Sequence, residues 1–331
     1  MGTGLWQAEI QATMRGVNTH IDPALGRRLP PIQPGRAALP LSKSMALRGL
    51  SVAAGLRRSV ELRSASVSGW RELGGDLLAG ISCAQALGAG IAIEGDSLRV
   101  SPEEEVRRAP LVVGESGFLG RVVPTCAALS REGIWAVEAE GTLRKRSSEP
   151  LWQCVRGAGV NLEVNGSWVS EITSPVSLGS LNLSKPVSSQ ELSALLIGIA
   201  CRGGGSFGVE GDIPSRPYLD MTVAVLGSFG FEVSEHSGRF FVEGEAIDMK
   251  LPLSIEADAS AAAVALAAGC LGGVRVEVPA PRQDSLQGDW RIVEHLRAFG
   301  CEIDETGEGL VAAGPPLKAV DLDLAGEPDL A

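Results

Sequence analysis

Apolar residues recur at helical spacing in six stretches of this chain, and each stretch opens on small polar residues. They are LSKSMALRGLSVAAGL, GESGFLGRVVPTCAAL, SSQELSALLIGIA, SRPYLDMTVAVLGSFG, DASAAAVALAAGCLGG and QGDWRIVEHLRAFG. Ala and Leu dominate the interiors, as a helix favours, and Ser or Asp stand where a cap is wanted. Between them, runs such as FEVSEHSGRFFVEG and VRVEVPAP alternate apolar and polar in the manner of strands. The spacing is irregular and the likeness is of pattern, so these are degenerate repeats of a helix-plus-strand unit. An α/β architecture follows. No low-complexity linker divides the chain.

The polar residues at the helix openings carry the chemistry. A helix N-terminus has orphan N–H groups and the positive end of its dipole, and it attracts anions. Taken singly, a Ser or Asp before a helix is usually a cap, and LRKR at 143–146 reads as a solvated charge run. LPLSKSMALRGL, from Leu39 to Leu50, asks for more. Beyond its cap it holds Lys43, Ser44 and Arg48, which suit either an anion site or a heavily decorated surface helix. SRPYLD at 215–220 holds the only Tyr of the chain beside Arg216 and Pro217. Several such openings, with extra cations, predict a cleft lined by helix N-termini for more than one phosphate or carboxylate.

Composition narrows the picture. A chain of 331 residues can bury a sizeable core and suggests two domains. With 42 Gly, about twice the usual share, it should contain many turns and short connections. A formal charge of −11 argues against a nucleic-acid partner. The six Cys (83, 126, 154, 201, 270 and 301) show no CxxC pair and no metal-ligand spacing, which favours buried thiols in a reduced, cytoplasmic protein. No apolar run is long enough to predict a membrane span. The first 30 residues lack the apolar core of a signal peptide and read as a loose extension.

An ordered set of motifs resembles the 3-phosphoshikimate 1-carboxyvinyltransferase (EPSP synthase) family. LPLSKSMALR is similar to its lysine-serine signature, VGESGFLGR to its Gly-rich loop and LRKRSSEPL to its Leu-Arg-x-Arg-Pro segment. VSSQELSALL, SRPYLDMT and IEADASAAA follow in family order. The match runs from about residue 30 to the last residue. It implies two similar halves, each an inverted α/β barrel of three helix-and-strand units, with the second half incomplete here. On that reading residues 1–40 are an extension and the start of the incomplete half. Residues 41–256 form the complete half, and 257–331 a partial return that exposes some helix surface.

The implied reaction transfers the enolpyruvyl group of phosphoenolpyruvate to the 5-hydroxyl of shikimate-3-phosphate and releases phosphate, with no metal or organic cofactor. Lys43 matches the lysine that touches both substrates. Ser44, Arg48, Ser188, Ser189 and Ser215 match contacts to shikimate-3-phosphate. Gly117, Arg146 and Gln190 match the phosphoenolpyruvate site, and Gly117 suits it physically because a residue without Cβ lets backbone approach a phosphate. Asp329 matches the catalytic Asp and also lies against shikimate-3-phosphate. Departures are Leu41, Glu115, Phe118, Ser147 and Ala257; Glu115 could repel phosphoenolpyruvate. Family members continue past Ala331 into a segment with a Lys-Glu pair for proton transfer. The chain thus reads as a truncated, divergent member, inactive alone and monomeric if complete. The other readings are a transferase acting on UDP-N-acetylglucosamine and a non-catalytic phosphate-ligand-binding fragment.

Overall fold

The computed structural model describes residues 21–22, 27–28, 31–66, 69–71, 73–104, 109–131, 133–146, 148–165, 168–174, 177–314 and 318–331. The extension expected over residues 1–30 lies outside these, apart from Ile21–Asp22 and Arg27–Arg28, which pair antiparallel. Eight helices are described: α1 Lys43–Leu56, α2 Gly75–Ala86, α3 Leu119–Ser130, α4 Glu149–Gly157, α5 Ser189–Cys201, α6 Arg216–Ser228, α7 Ala259–Gly272 and α8 Ile292–Phe299. The chain divides into two compact units. The larger holds 38–260, 281–290 and 323–331; the smaller holds the described part of 1–37 with 261–280 and 291–322.

The larger unit contains three four-stranded sheets. In order across each sheet, the first is Leu253–Ile255, Val60–Ser64, Ser97–Pro102 and Ala89–Glu94. The second is Leu111–Gly114, Ile134–Ala139, Trp168–Thr173 and Asn161–Asn165. The third is Leu181–Ser184, Gly205–Glu210, Arg239–Gly244 and Phe231–His236. The first two strands of each are parallel and the other pairings antiparallel. A parallel pair needs a crossover, which α3 and α5 supply in the second and third sheets. A second helix and a hairpin complete each repeat.

The first sheet departs from this order. Its parallel strand, Leu253–Ile255, comes from the far end of the unit's sequence and pairs with Val60–Ser64. The smaller unit shows the reciprocal arrangement. There α7, Val276–Val278, α8 and the hairpin of Glu302–Glu305 with Leu310–Ala313 follow the common order, and the parallel partner of Val276–Val278 is Gly35–Arg36. The two repeats have therefore exchanged their leading strands.

Burial explains why α1, α3 and α5 are so apolar. Residues Ala46–Gly55 of α1, Leu119–Leu129 of α3 and Glu191–Ala200 of α5 are buried throughout. The three helices pack on one another with the sheets around them, and a helix enclosed on all sides needs no polar face. Gly49 lets α1 lie close to the first sheet: a Cβ there would stand 2.9 Å from both Leu62 and Leu253. Helices inside and sheets outside make this an inverted α/β arrangement. In the smaller unit, α7 leaves Val264 and Leu271 exposed, 71% and 58%, although Leu266 and Cys270 are buried. All six Cys are free thiols; Cys201 is half-buried and the other five are buried. No helix among the described residues is long and apolar enough to cross a membrane.

Candidate functional site

The start of α1 is built where two passages of chain lie side by side. Leu41 and Ala257 form an antiparallel bridge, flanked by Ser42 N donating to Glu256 O at 2.8 Å and Asp258 N to Pro40 O at 3.0 Å. Ser42 caps α1 by accepting from Met45 N, and its hydroxyl donates to Gln287 Oε1 at 2.8 Å. The same Gln287 oxygen accepts from Ala259 N, the first residue of α7. Lys43 is the first residue of α1. Its Nζ lies 3.1 Å from Asp76 Oδ2 on α2, more than half exposed. Its amide donates to Asp258 Oδ2. Ser44 is half-buried and its carbonyl accepts from Arg48.

Arg48 is the knot of the site. It is buried, and each guanidinium nitrogen has a protein acceptor: Nε on Thr222 Oγ1 at 2.9 Å, Nη1 on Ser44 O at 2.8 Å and Nη2 on Tyr218 O at 2.8 Å. Its charge lies 4.7 Å from the centre of the Phe118 ring. Burial pulls the guanidinium down to about 10, with the Tyr218 phenol acting the other way. Arg48, matched in the sequence to a shikimate-3-phosphate contact, also ties α1 to α6 and to the start of α3. Phe118, one of the departures from the family pattern, is the face that covers it.

A second cluster joins α3 to α5. Arg121 Nη1 donates to Gly117 O at 2.8 Å and to Gln190 Oε1 at 3.0 Å. A Cβ on Gly117 would stand 3.1 Å from Gln190 Oε1 and 3.2 Å from Arg121 Nη1, so a larger residue would push these two side-chain ends aside. Ser188 caps α5 by accepting from Gln190 N, while Glu191 Oε2 accepts from Val187 N. Ser189 is buried. Burial lowers Arg121, the nearby charge of Arg146 lowers it further, and Glu191 opposes both. Burial likewise pushes Glu191 up. Arg146 is exposed at the end of the 3-10 turn Gly141–Lys145. Glu115 does not point its charge freely into this cluster, because Thr142 N and Oγ1 donate to it at 3.1 and 3.2 Å.

The third cluster starts at α6. Ser215 stands at the N-cap of that helix in the left-handed region, φ +51°, without a side-chain cap bond, and donates to Ala325 O at 3.4 Å. Arg216 turns away onto Asp220 and Glu235. Tyr218 Oη lies 2.8 Å from Asp289 Oδ1 and 3.1 Å from Asp329 Oδ2. The other oxygen of Asp289 meets the Ser260 hydroxyl at very short range. Thr222 Oγ1, already holding Arg48, lies 2.8 Å from Ser193 Oγ of α5.

These contacts gather the first turns of α1, α3, α5 and α6 at one end of the buried helices. Lys43, Ser44, Arg48, Gly117, Ser188, Ser189, Gln190, Ser215 and Asp329 all stand on or beside them, with Arg146 within electrostatic reach of Arg121. Sequence reasoning assigned no role to Arg121, Tyr218, Thr222 or Asp289. Arg121 ends the Gly-rich motif and Tyr218 is the only tyrosine, so each carried a signal; nothing in QGDW marks Asp289. Among the described residues, no cluster of His, Cys, Asp or Glu could hold a metal ion.

A family model described as EPSP synthase (3-phosphoshikimate 1-carboxyvinyltransferase) matches residues 33–331. Proteins named 3-phosphoshikimate 1-carboxyvinyltransferase are similar to this chain. That of Laribacter hongkongensis is 34% identical over 236 residues, 68% of this chain and 55% of its own length. That of Shewanella sp. strain W3-18-1 is 32% identical over 229 residues, 67% and 53%. The solved EPSP synthase of Acinetobacter baumannii shares the fold, with a TM-score of 0.62 and 18% identity over 84% of this chain and 63% of its own. The chain spans about half the length of the curated relatives it matches. By motif order, fold and similarity, it belongs to the EPSP synthase family.

Proposed function

We propose that this chain carries the shikimate-3-phosphate side of an enolpyruvyl transferase, the enzyme that moves the enolpyruvyl group of phosphoenolpyruvate to the 5-hydroxyl of shikimate-3-phosphate and releases phosphate. The observation that carries the reading is the gathering of four helix N-termini with Lys43, Arg121 and Arg146 at the family's motif positions. Helix N-termini and cations in a partly buried setting favour phosphate and carboxylate groups. Ser44, Ser188, Ser189 and Ser215 supply hydroxyls for the ring and phosphate oxygens. Gly117, Gln190 and Arg146 form the adjoining place for phosphoenolpyruvate.

The reaction needs a base for the 5-hydroxyl proton and an acid for the methylene carbon. Asp329 takes the first role in this reading, and Lys43, able to touch both substrates, assists the second. Calorimetry with shikimate-3-phosphate, phosphoenolpyruvate and UDP-N-acetylglucosamine tests it. Shikimate-3-phosphate is expected to bind best. No heat with it, or a stronger response to the UDP-sugar, overturns the assignment. Phosphate release from the two substrates together then separates a transferase from a phosphate-ligand-binding protein.

A further inference from the structure

Behind Asp329 lies a buried carboxyl that the reaction scheme does not use. Asp289 is 3% exposed, whereas Asp329 is exposed. Three close oxygen contacts link four side chains: Ser260 with Asp289 Oδ2, Tyr218 with Asp289 Oδ1, and Tyr218 with Asp329 Oδ2. Such contacts are strongest with a proton each, because two oxygens that meet lone pair to lone pair repel. The Ser260 and Tyr218 hydroxyls supply one proton each. Tyr218 has one proton for its two carboxyl neighbours, and a third proton carried by a carboxyl group gives each contact its own.

We propose that Asp289 is a neutral carboxylic acid at neutral pH and that, through Tyr218, it holds Asp329 as a directed, ionised carboxylate. Ser260 O–H donates to Asp289 Oδ2, Asp289 Oδ1–H donates to Tyr218 Oη, and Tyr218 O–H donates to Asp329 Oδ2. Each contact then has its own proton. The buried member is the one that gives up its charge, as desolvation requires. Burial pushes Asp289 up, the Ser260 and Tyr218 hydrogen bonds oppose that, and the charges of Asp329 and Asp258 add to it. Burial and the same two carboxyls raise the Tyr218 phenol, which keeps its proton in place. Arg291, in the same turn as Asp289, pairs with Glu294 at 3.6 Å. Asp289 and Tyr218 are thus positioning residues: one proton stored on Asp289 leaves Asp329 free of it. That Asp329 uses this state as a base rests on the transferase reading; the place of the proton does not.

Infrared difference spectroscopy on the ligand-free chain tests this. Wild type minus Asp289→Asn at neutral pH should show loss of a protonated-carboxyl C=O band, and wild type minus Asp329→Asn should show loss of carboxylate bands. Loss of carboxylate bands with Asp289→Asn overturns the proposal. Asn also supplies an N–H where the acid supplies its O–H, so Asp289→Asn should keep the wild-type unfolding midpoint while Asp289→Ala lowers it; equal destabilisation by both counts against the proposal. A readout that needs no variant is carbon NMR of aspartate-labelled wild type. One aspartate carboxyl carbon should show the shift of a protonated acid at neutral pH, and carboxylate shifts for all of them overturn the assignment. These measurements are made without substrate, so they stand apart from failure of shikimate-3-phosphate to bind.

Discussion

Arg121 Nη1 lies 3.0 Å from Gln190 Oε1, and this bond decides which end of the Gln190 amide meets the guanidinium. A guanidinium only donates, so it must take the amide oxygen and leave the Nε2 donor for another partner. An anion can be that partner. Arg121→Met frees the amide to rotate and should weaken phosphoenolpyruvate binding by about 1–2 kcal/mol, the scale of a hydrogen bond to a charged group. Gln190→Glu keeps a partner for Arg121 but removes the donor, and should weaken it at least as much. Calorimetry checks both, and wild-type affinity in the two variants would remove Arg121 from the site.

Lys43 and Asp76 form an ion pair at 3.1 Å that a ligand anion must compete with. Lys43→Met should weaken shikimate-3-phosphate binding by about 1.5–3 kcal/mol, as for a charge-assisted bond. Asp76→Asn should strengthen it, by less than about 1 kcal/mol because the pair is largely exposed. The opposite signs make the pair of variants informative. If both weaken binding, Lys43 is held in place by Asp76 rather than occupied by it.

Arg48 predicts an effect on stability, whatever it adds to binding. Arg48→Met keeps much of the apolar stem but leaves Ser44 O, Tyr218 O and Thr222 Oγ1 without their donor. A loss of about 3 kcal/mol in unfolding free energy is expected. Urea titration should show a lower midpoint at unchanged slope. Stability within 1 kcal/mol of wild type would mean that water replaces the guanidinium, on the scale of a surface change.

Glu191 gives the fold a pH dependence. Burial raises its folded-state value above the ordinary 4.5, so the folded state holds the proton more tightly than the unfolded state does. The stability from that proton is fully present below 4.5 and is lost as pH rises through the raised folded value. Glu191→Gln keeps an acceptor for Val187 N and removes the titration. Its stability should therefore gain on that of wild type as pH rises from acid to neutral. Parallel curves across that range would contradict the assignment.

All six helices anticipated from apolar spacing are present, and the runs FEVSEHSGRFFVEG and VRVEVPAP do contain strands. The helices α2 and α4 were not legible. The first opens on Gly74 with no side-chain cap, and the second hides its Ser148, Glu149 and Pro150 start inside a segment whose charges draw attention. The helix openings of the candidate site were legible, because caps and cations are local in sequence. Its internal wiring was not. Arg48 reaches Thr222, Tyr218 reaches Asp289 and Gln287 joins two helix starts, and each link depends on residues far apart in the chain.

The exchange of leading strands also sets a timetable for synthesis. Val60–Ser64 emerges early, but its parallel neighbour Leu253–Ile255 follows only after about 190 further residues, a long loop to close. Until then the first sheet presents an open edge in a nascent chain whose second and third repeats are already able to form. Gly35–Arg36 waits still longer for Val276–Val278. Val60–Ser64 is therefore made well before its sheet can be completed, and its waiting edge is where a stalled or slowly translated chain would first find the wrong strand.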